Sequence, residues 1–495
     1  MSKSAITDHP RRHRNRTLAL LAVLLFGSGL ATSQEKADLD AANRIRDAAM
    51  NHSQIMEMVG YLTDVTGPRL TGSPNLKKAE EYALDKLRQW GLGNAHLEAW
   101  GPFGRGWSLE GFTASMLSPG FSPLIAYPKA WSPGTKGAVR GEVVFLDAKT
   151  VADLDRFNGK LKGKIVLFAP ARSVDALFDP PAHRQTDEEL LQLANAPPSP
   201  DSRPFQWTPE QRAKAWDISK PVITPQVNVA TEQYNRIVRL VARGIPVQLE
   251  VNIAVHFYDD DPMSYNVIAE IPGTDLKDEV VMVGGSIDSW HAATGATDNA
   301  AGAASALEVV RILQSLKVKP RRTIRIGLWS AEEQGTLGSH AYVAAHFGRK
   351  INAADGQTGG ARFEFKPEYA KFDAYFNFDY GTGRIRGIFL QGNESARPIF
   401  RSLLEPFKDL GASTLSISGV GATDHVPFDE IGLPAFQWIR DYMEGNNTRA
   451  AHTNMDTYDH VIEGDLKQSA AVAAFLIYNL AMRDEKLPRK PLPSQ

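Results

Sequence analysis

The chain has 495 residues, with 55 Lys+Arg against 57 Asp+Glu, 43% hydrophobic and 23% charged residues, and no cysteine. That length predicts two to four domains, and the ordinary apolar and charged fractions exclude wholesale disorder and a multi-span membrane protein. Without Cys there is no disulfide scaffold, thiolate iron–sulfur cluster or cysteine nucleophile; a metal site must use His, Asp and Glu, and the balanced charge gives no electrostatic case for nucleic acid.

Residues 1–33 read as a secretory signal. Arg11, Arg12, Arg14 and Arg16 precede an apolar run at 18–26, and the small residues Ala31 and Ser33 follow. The run is shorter than the roughly 20 residues a spanning helix needs, with an uncleaved anchor as the alternative. Cleavage after Ser33 removes Lys3, the four arginines and Asp8, leaving 50 positive against 56 negative charges, a net of −6. The expectation is a secreted or periplasmic protein with no membrane span after cleavage.

Residues 34–100 read as helices. Ser73 and Pro74 suit an N-cap and first helical position, and Leu76, Ala79, Ala83, Leu87 and Trp90 recur at helical spacing until Gly91. From about 120 to 258 the texture changes. Short β-rich segments at 141–147 and 163–170 alternate with Gly and Pro breaks, and a Pro-rich stretch from Pro180 to Pro209 holds a short helix at 187–194. This predicts a mainly β module at 120–258, inserted between parts of a main domain at 34–119 and 259–484. From Tyr265 strands are expected at 265–271, 279–285, 322–330, 373–379 and 434–439, with helices at 299–316, 333–347, 395–409 and 464–482. Near-continuous apolar strands separated by amphipathic helices predict an α/β sheet covered on both faces. Residues 485–495 read as a flexible tail.

Three of the apolar strands run out into acid. The first reaches Asp288, the second Glu332 and Glu333, and the third Asp379, while the loop "GATDNAAG" adds Asp298. Ligands of open α/β sheets bind at the carboxyl ends of strands. Five carboxylates aimed at one crevice repel unless a cation offsets them. An individual Asp at a strand end is more often a helix cap, and Asp298 alone reads equally as either, but adjacent Glu332 and Glu333 have no capping reason to coexist. Carboxylates alone suit Mg²⁺, Mn²⁺ or Ca²⁺, whereas zinc prefers an imidazole. His452, in "HTNMDTYDH", is the best candidate, with Asp456 and Asp459 near enough in sequence to orient its ring. His340 and His346 read as surface or core residues and His256 as a strand residue. His425, in "GATDHVPF", reads equally as pocket lining or as a turn.

The series "GSIDSW…GATDNAAG…SAEEQG…NFDYGTG…HTNMDTYDH" resembles the co-catalytic zinc exopeptidases, bacterial aminopeptidases and the plasma glutamate carboxypeptidase group, over about 40–100 and 262–482. The resemblance implies a mixed, mostly parallel sheet flanked by helices, with the β module as a protease-associated domain. It further implies that Asp298 bridges two zinc ions, that Glu333 and His452 complete one site, and that Asp379 belongs to the other. Glu332 is then the general base and Asp288 the acid that orients a ligand.

One position departs. The family carries "HxD", and this chain reads "SID", with Ser286 at the ligand position. A neutral hydroxyl is a poor zinc ligand. His291 is the nearest imidazole, at a different place on the loop. The expectation is a metallopeptidase acting on peptide or dipeptide ends, with one tightly bound zinc and a weak second one. The alternatives are a single-zinc acyltransferase resembling glutaminyl cyclase and a catalytically weakened binding protein.

Overall fold

The computed structural model describes residues 37–178, 180, 182–199, 214–221, 223–351, 362–379, 381–441 and 450–492. The signal segment expected at 1–33 lies outside the described residues. All of the described residues belong to one compact unit, Ala37–Gln495, and no helix among them is long and apolar enough to cross a membrane.

The N-terminal part begins with helix Leu39–Asn51, capped by the Asp38 side chain. Helix Pro74–Gln89 starts as its sequence dictates: the Ser73 hydroxyl accepts the Leu76 N–H at 3.2 Å and Pro74 takes the first turn. Ala79, Ala83 and Leu87 are buried on its inner face. The helical reading fails beyond Gly91. Residues Gly93–Trp100 form β1, antiparallel to a later strand, because the sheet edge there offers open hydrogen-bonding groups that local propensity does not report.

The β-rich unit begins earlier than residue 120. Strand β2 (Gly106–Ser118) pairs along its length with β8 (Gln248–Tyr258), so Gly106 and Tyr258 close the unit as one antiparallel ladder. Between them lie β3 (Ser122–Pro123), β4 (Ala126–Pro128), β5 (Val139–Phe145), β6 (Ile165–Leu167) and β7 (Val227–Val229). Five strands form a sheet in the order β3-β2-β8-β5-β6, and β4 pairs with β7. Helix Asp187–Ala194 has the capping box its sequence spells, Thr186 with Glu189.

The main sheet has eight strands in the order β1-β9-β11-β10-β14-β17-β15-β16. They are β9 (Ser264–Ile271), β10 (Leu276–Ser286), β11 (Arg322–Trp329), β14 (Phe372–Asn377), β15 (Ile385–Phe389), β16 (Thr414–Ser416) and β17 (Ala435–Arg440), with a small hairpin of β12 (Gly348–Ile351) and β13 (Arg362–Phe365) between. The centre is parallel: β11, β10, β14 and β17 run the same way. Strand β9 runs antiparallel to both β1 and β11, and β15 runs antiparallel to β17 but parallel to β16, which makes the sheet mixed. Val281, Met282 and Val283 of β10 are buried on both faces, under helices such as Ala301–Ser315 and Glu463–Met482, whose alanines permit close approach. The helix expected at 395–409 stops at Leu404 and continues as a tighter 3₁₀ segment, Glu405–Leu410, with Pro406 at its start.

The tail is not free. The Leu487 N–H donates to Asp373 at 2.7 Å and its side chain is buried, the Asn393 amide donates to the Pro488 carbonyl, and Lys490 pairs with Asp429 at 2.7 Å. Residues 485–492 therefore pack against the sheet instead of fraying as a flexible tail.

Candidate metal centre

Strand register brings the acids together. Ser286 pairs with Trp329 and Gly284 with Asn377, so β10, β11 and β14 end at one level. Two residues beyond β10 stands Asp288, just past β11 stand Glu332 and Glu333, and two residues beyond β14 stands Asp379. Asp288 is fully buried and accepts the backbone N–H groups of Glu332 and Glu333 at 3.1 and 3.3 Å and the Thr71 hydroxyl at 3.0 Å. It thus ties one strand end to the next. Ala331, immediately before Glu332, is in the left-handed region with φ 57°, as is His452; such conformations need support from their surroundings.

The loop 287–295 is held by Arg69, which is fully buried. Its guanidinium donates to the carbonyls of Ile287, Leu62, Thr294 and Gly295 at 2.7–2.9 Å, and more weakly to Gly67. Gly295 has φ 60°, and a Cβ there would meet Ser289 Cβ at 2.3 Å, so only glycine closes the loop. Asp456 secures the next turn: it accepts the Thr297 N–H at 2.6 Å, the Thr297 hydroxyl at 2.7 Å and the Asp298 N–H at 3.1 Å. Its partner is the Asp298 backbone, not the His452 ring that its sequence position suggests.

Asp298, Glu333 and His452 converge. His452 Nε2 lies 2.9 Å from Asp298 Oδ2 and 3.1 Å from Glu333 Oε2, and one ligand atom from each residue falls within 4.8 Å of the other two. Among the described residues this is the group able to hold a metal ion. Glu333 is buried, Asp298 partly so, and the His452 side chain is about half exposed. Two carboxylates and an imidazole at such distances are a zinc donor set.

The electrostatics ask for a cation. Burial pushes Glu333 up to about 8, reinforced by Asp298 and opposed by His452. Burial pushes Asp288 up to about 7 against its three hydrogen bonds. Glu332 rises well above the carboxylate range through burial and then the charges of Asp379, Asp424, Glu333 and Asp288. For His452 burial opposes charging, but Glu333 and Asp298 outweigh it and push the imidazolium up to about 12.

The other candidates fall elsewhere. Asp379 is buried and is the largest charge acting on Glu332, but it does not join the three-atom group. Ser286 is buried, and its hydroxyl accepts the Asn299 side-chain N–H at 2.9 Å. His291 turns to the β unit, where Nε2 meets the Pro128 carbonyl at 2.7 Å and its ring packs edge-on against Trp107. His425 is buried beside the Val420 carbonyl and the Gln391 side chain, and burial lowers its pKa to about 4; it is a turn residue. His346 meets Glu98 at 3.0 Å, and His256 lies on β8 against Tyr258.

Two participants escape sequence reasoning. Asp424 is fully buried, accepts the Ser339 hydroxyl at 2.6 Å, and is raised well above its usual value by burial and by Asp288, Asp379 and Glu333. In "TDHVPF" it reads as an ordinary residue before a proline-started turn, and nothing local marks it. Trp290, two residues after Asp288, is partly buried with its ring 6.1 Å from that of His452 and 6.4 Å from Trp131 of the β unit. The β unit thus contributes to the wall beside the centre.

Residues 266–477 match peptidase family M28. Carboxypeptidase Q of Mus musculus is 26% identical over 492 residues, 95% of this chain and 98% of the mouse protein. In structure, the Peptidase M28 precursor from Shewanella amazonensis SB2B is similar with a TM-score of 0.65 and 24% identity, covering 92% of this chain and 99% of that one. BSAP, a zinc aminopeptidase from Bacillus subtilis, gives a TM-score of 0.53 and 20% identity over 87% and 95%.

Proposed function

Because the chain is a metallopeptidase of the co-catalytic zinc exopeptidase family, we propose that it is an exopeptidase built on one firmly held zinc ion, at Asp298, Glu333 and His452, with a weak second position at Asp379. The observation that carries this reading is the convergence of those three ligand atoms, with Glu332 next in sequence to Glu333. Zinc at this centre supplies Lewis acidity toward water and the scissile carbonyl.

Glu332 acts as general base, taking a proton from water and delivering it to the leaving nitrogen. Asp288 orients the Glu332–Glu333 backbone through the two N–H groups it accepts. Ser286, engaged with Asn299, contributes no ligand, so Asp298 and Asp379 alone serve the second position. We take the β unit to be a protease-associated domain and residues 1–33 to direct export.

Glu332→Gln should lower kcat/KM by about 10²–10⁴ with zinc content unchanged; unaltered turnover would remove Glu332 from the mechanism. Metal analysis after dialysis should return one zinc per chain. Aminoacyl anilides compared with free dipeptides then separate amino- from carboxy-terminal attack.

A further inference from the structure

Strand β17 ends in a charge that the chemistry above does not use. Arg440 is 5% exposed. Its Nε donates to the Gly383 carbonyl at 2.7 Å and its guanidinium carbon lies 6.0 Å from the centre of the Phe378 ring, but among the described residues neither Nη1 nor Nη2 has a hydrogen-bond partner. The neighbouring arginines are served. Arg384 and Arg386 donate to Asp441 at 3.1 and 2.8 Å, and Arg184 spans Asp441 and Asp465. Asp441 and Asp465 already bond three guanidiniums, and Arg440, a fourth, bonds no carboxylate. A buried cation with no bonded anion is costly. Burial lowers its pKa to about 10, against the attraction of Asp465, Asp379 and Asp441, which leaves it charged at neutral pH.

The surroundings supply donors. Trp438 lies on the same face of β17, is buried, and its indole N–H finds no acceptor. Opposite Arg440 in the ladder is Ile385 of β15, and the loop leading into β15 carries Thr382, fully buried with its hydroxyl unpartnered. Gln468 bonds both the N–H and the carbonyl of Ile385, at 2.9 and 2.8 Å, which docks the start of helix Glu463–Met482 on these strand ends. The adjacent Ser469 hydroxyl is buried and unpartnered too, and the helix has no side-chain cap. Its N-terminal end carries the positive pole of a 20-residue dipole. Water would satisfy the hydrogen bonds here but not the charge.

We propose that Arg440 is the core of an anion site, between the Asp379 loop and the start of the C-terminal helix, that takes a small monovalent anion of carboxylate or halide chemistry. The carboxylate is a peptide's free terminus, in which case the inference rests on the peptidase reading; the halide is a resident ion, in which case it does not.

The test uses the zinc-loaded full chain, with sodium chloride or sodium formate titrated at constant ionic strength against sodium methanesulfonate. The melting temperature of the native chain should rise and saturate with either anion, and Arg440→Met should abolish that response. Parallel behaviour of the two proteins overturns the proposal. If Arg440→Met does not fold, ³⁵Cl line broadening on the native chain and Thr382→Val decides: saturable broadening weakened by the substitution supports the site, and its absence overturns it. Hydrolysis of a dipeptide and of its C-terminal amide separates the sources. Formate raising KM about tenfold for the free acid alone identifies the substrate carboxylate, and equal effects of halide on both substrates identify a resident ion. A chain that shows the anion response but hydrolyses neither substrate refutes the peptidase reading and leaves the site standing.

Discussion

Ser286 and His425 show how a single side chain's surroundings decide its use. Ser286 stands where the resemblance leads one to expect a histidine ligand, but its hydroxyl already accepts from Asn299 and the residue is 2% exposed. Ser286→His should raise metal content from one toward two per chain, with a gain in rate, measured by metal analysis beside steady-state kinetics. No gain in either would mean that Asn299, not the missing imidazole, keeps the second ion weak. His425 has its pKa lowered from 6.5 to about 4 by burial. Between those values the unfolded chain takes up a proton that the folded chain refuses, so stability falls as pH drops through that window, by about 3 kcal/mol at pH 4. In His425→Gln this contribution disappears, and the loss of denaturant stability between pH 7 and pH 4 should shrink accordingly.

At the scale of elements, the centre is made by strand ends whose loops are tied from behind. Asp456 holds the turn that presents Asp298 through three hydrogen bonds, two of them to backbone. Asp456→Ala should therefore weaken zinc about 10–100-fold without removing a ligand, read by competition with a chromophoric chelator; unchanged affinity would show that the turn keeps its shape unaided. Elements with a strong local signal match their sequence reading closely: Ser73–Pro74 begins a helix, Thr186 and Glu189 cap another, and β9, β10, β11, β14 and β17 fall within a few residues of the expected apolar runs. Elements made by pairing do not. β1 and the first half of β2 exist because β9 and β8 offer open edges, and no periodicity in 93–118 announces that.

Across the whole molecule, distant segments close the fold. The chain end reaches back to Asp373, Asn393 and Asp429. Truncation after Glu485 should cost about 2–4 kcal/mol, from the lost burial of Leu487 and its hydrogen bond, seen as a lower denaturant midpoint; an unaltered midpoint would restore the free-tail reading. Residue types in their spacing were enough to define an α/β chain and to single out Asp298, Glu333 and His452 as candidate ligands, whose ligand atoms lie within 4.8 Å of one another, because strand ends that run into acid advertise a crevice. Only the tertiary structure decided that Asp379 and Asp424 both bear on Glu332, that Asp456 grips a backbone, that His291 belongs to the β unit, and that Arg440 is buried with its two terminal nitrogens unbonded among the described residues. The physical reason is that periodicity reports how each segment is buried, whereas the meeting of side chains hundreds of residues apart depends on strand register and loop geometry.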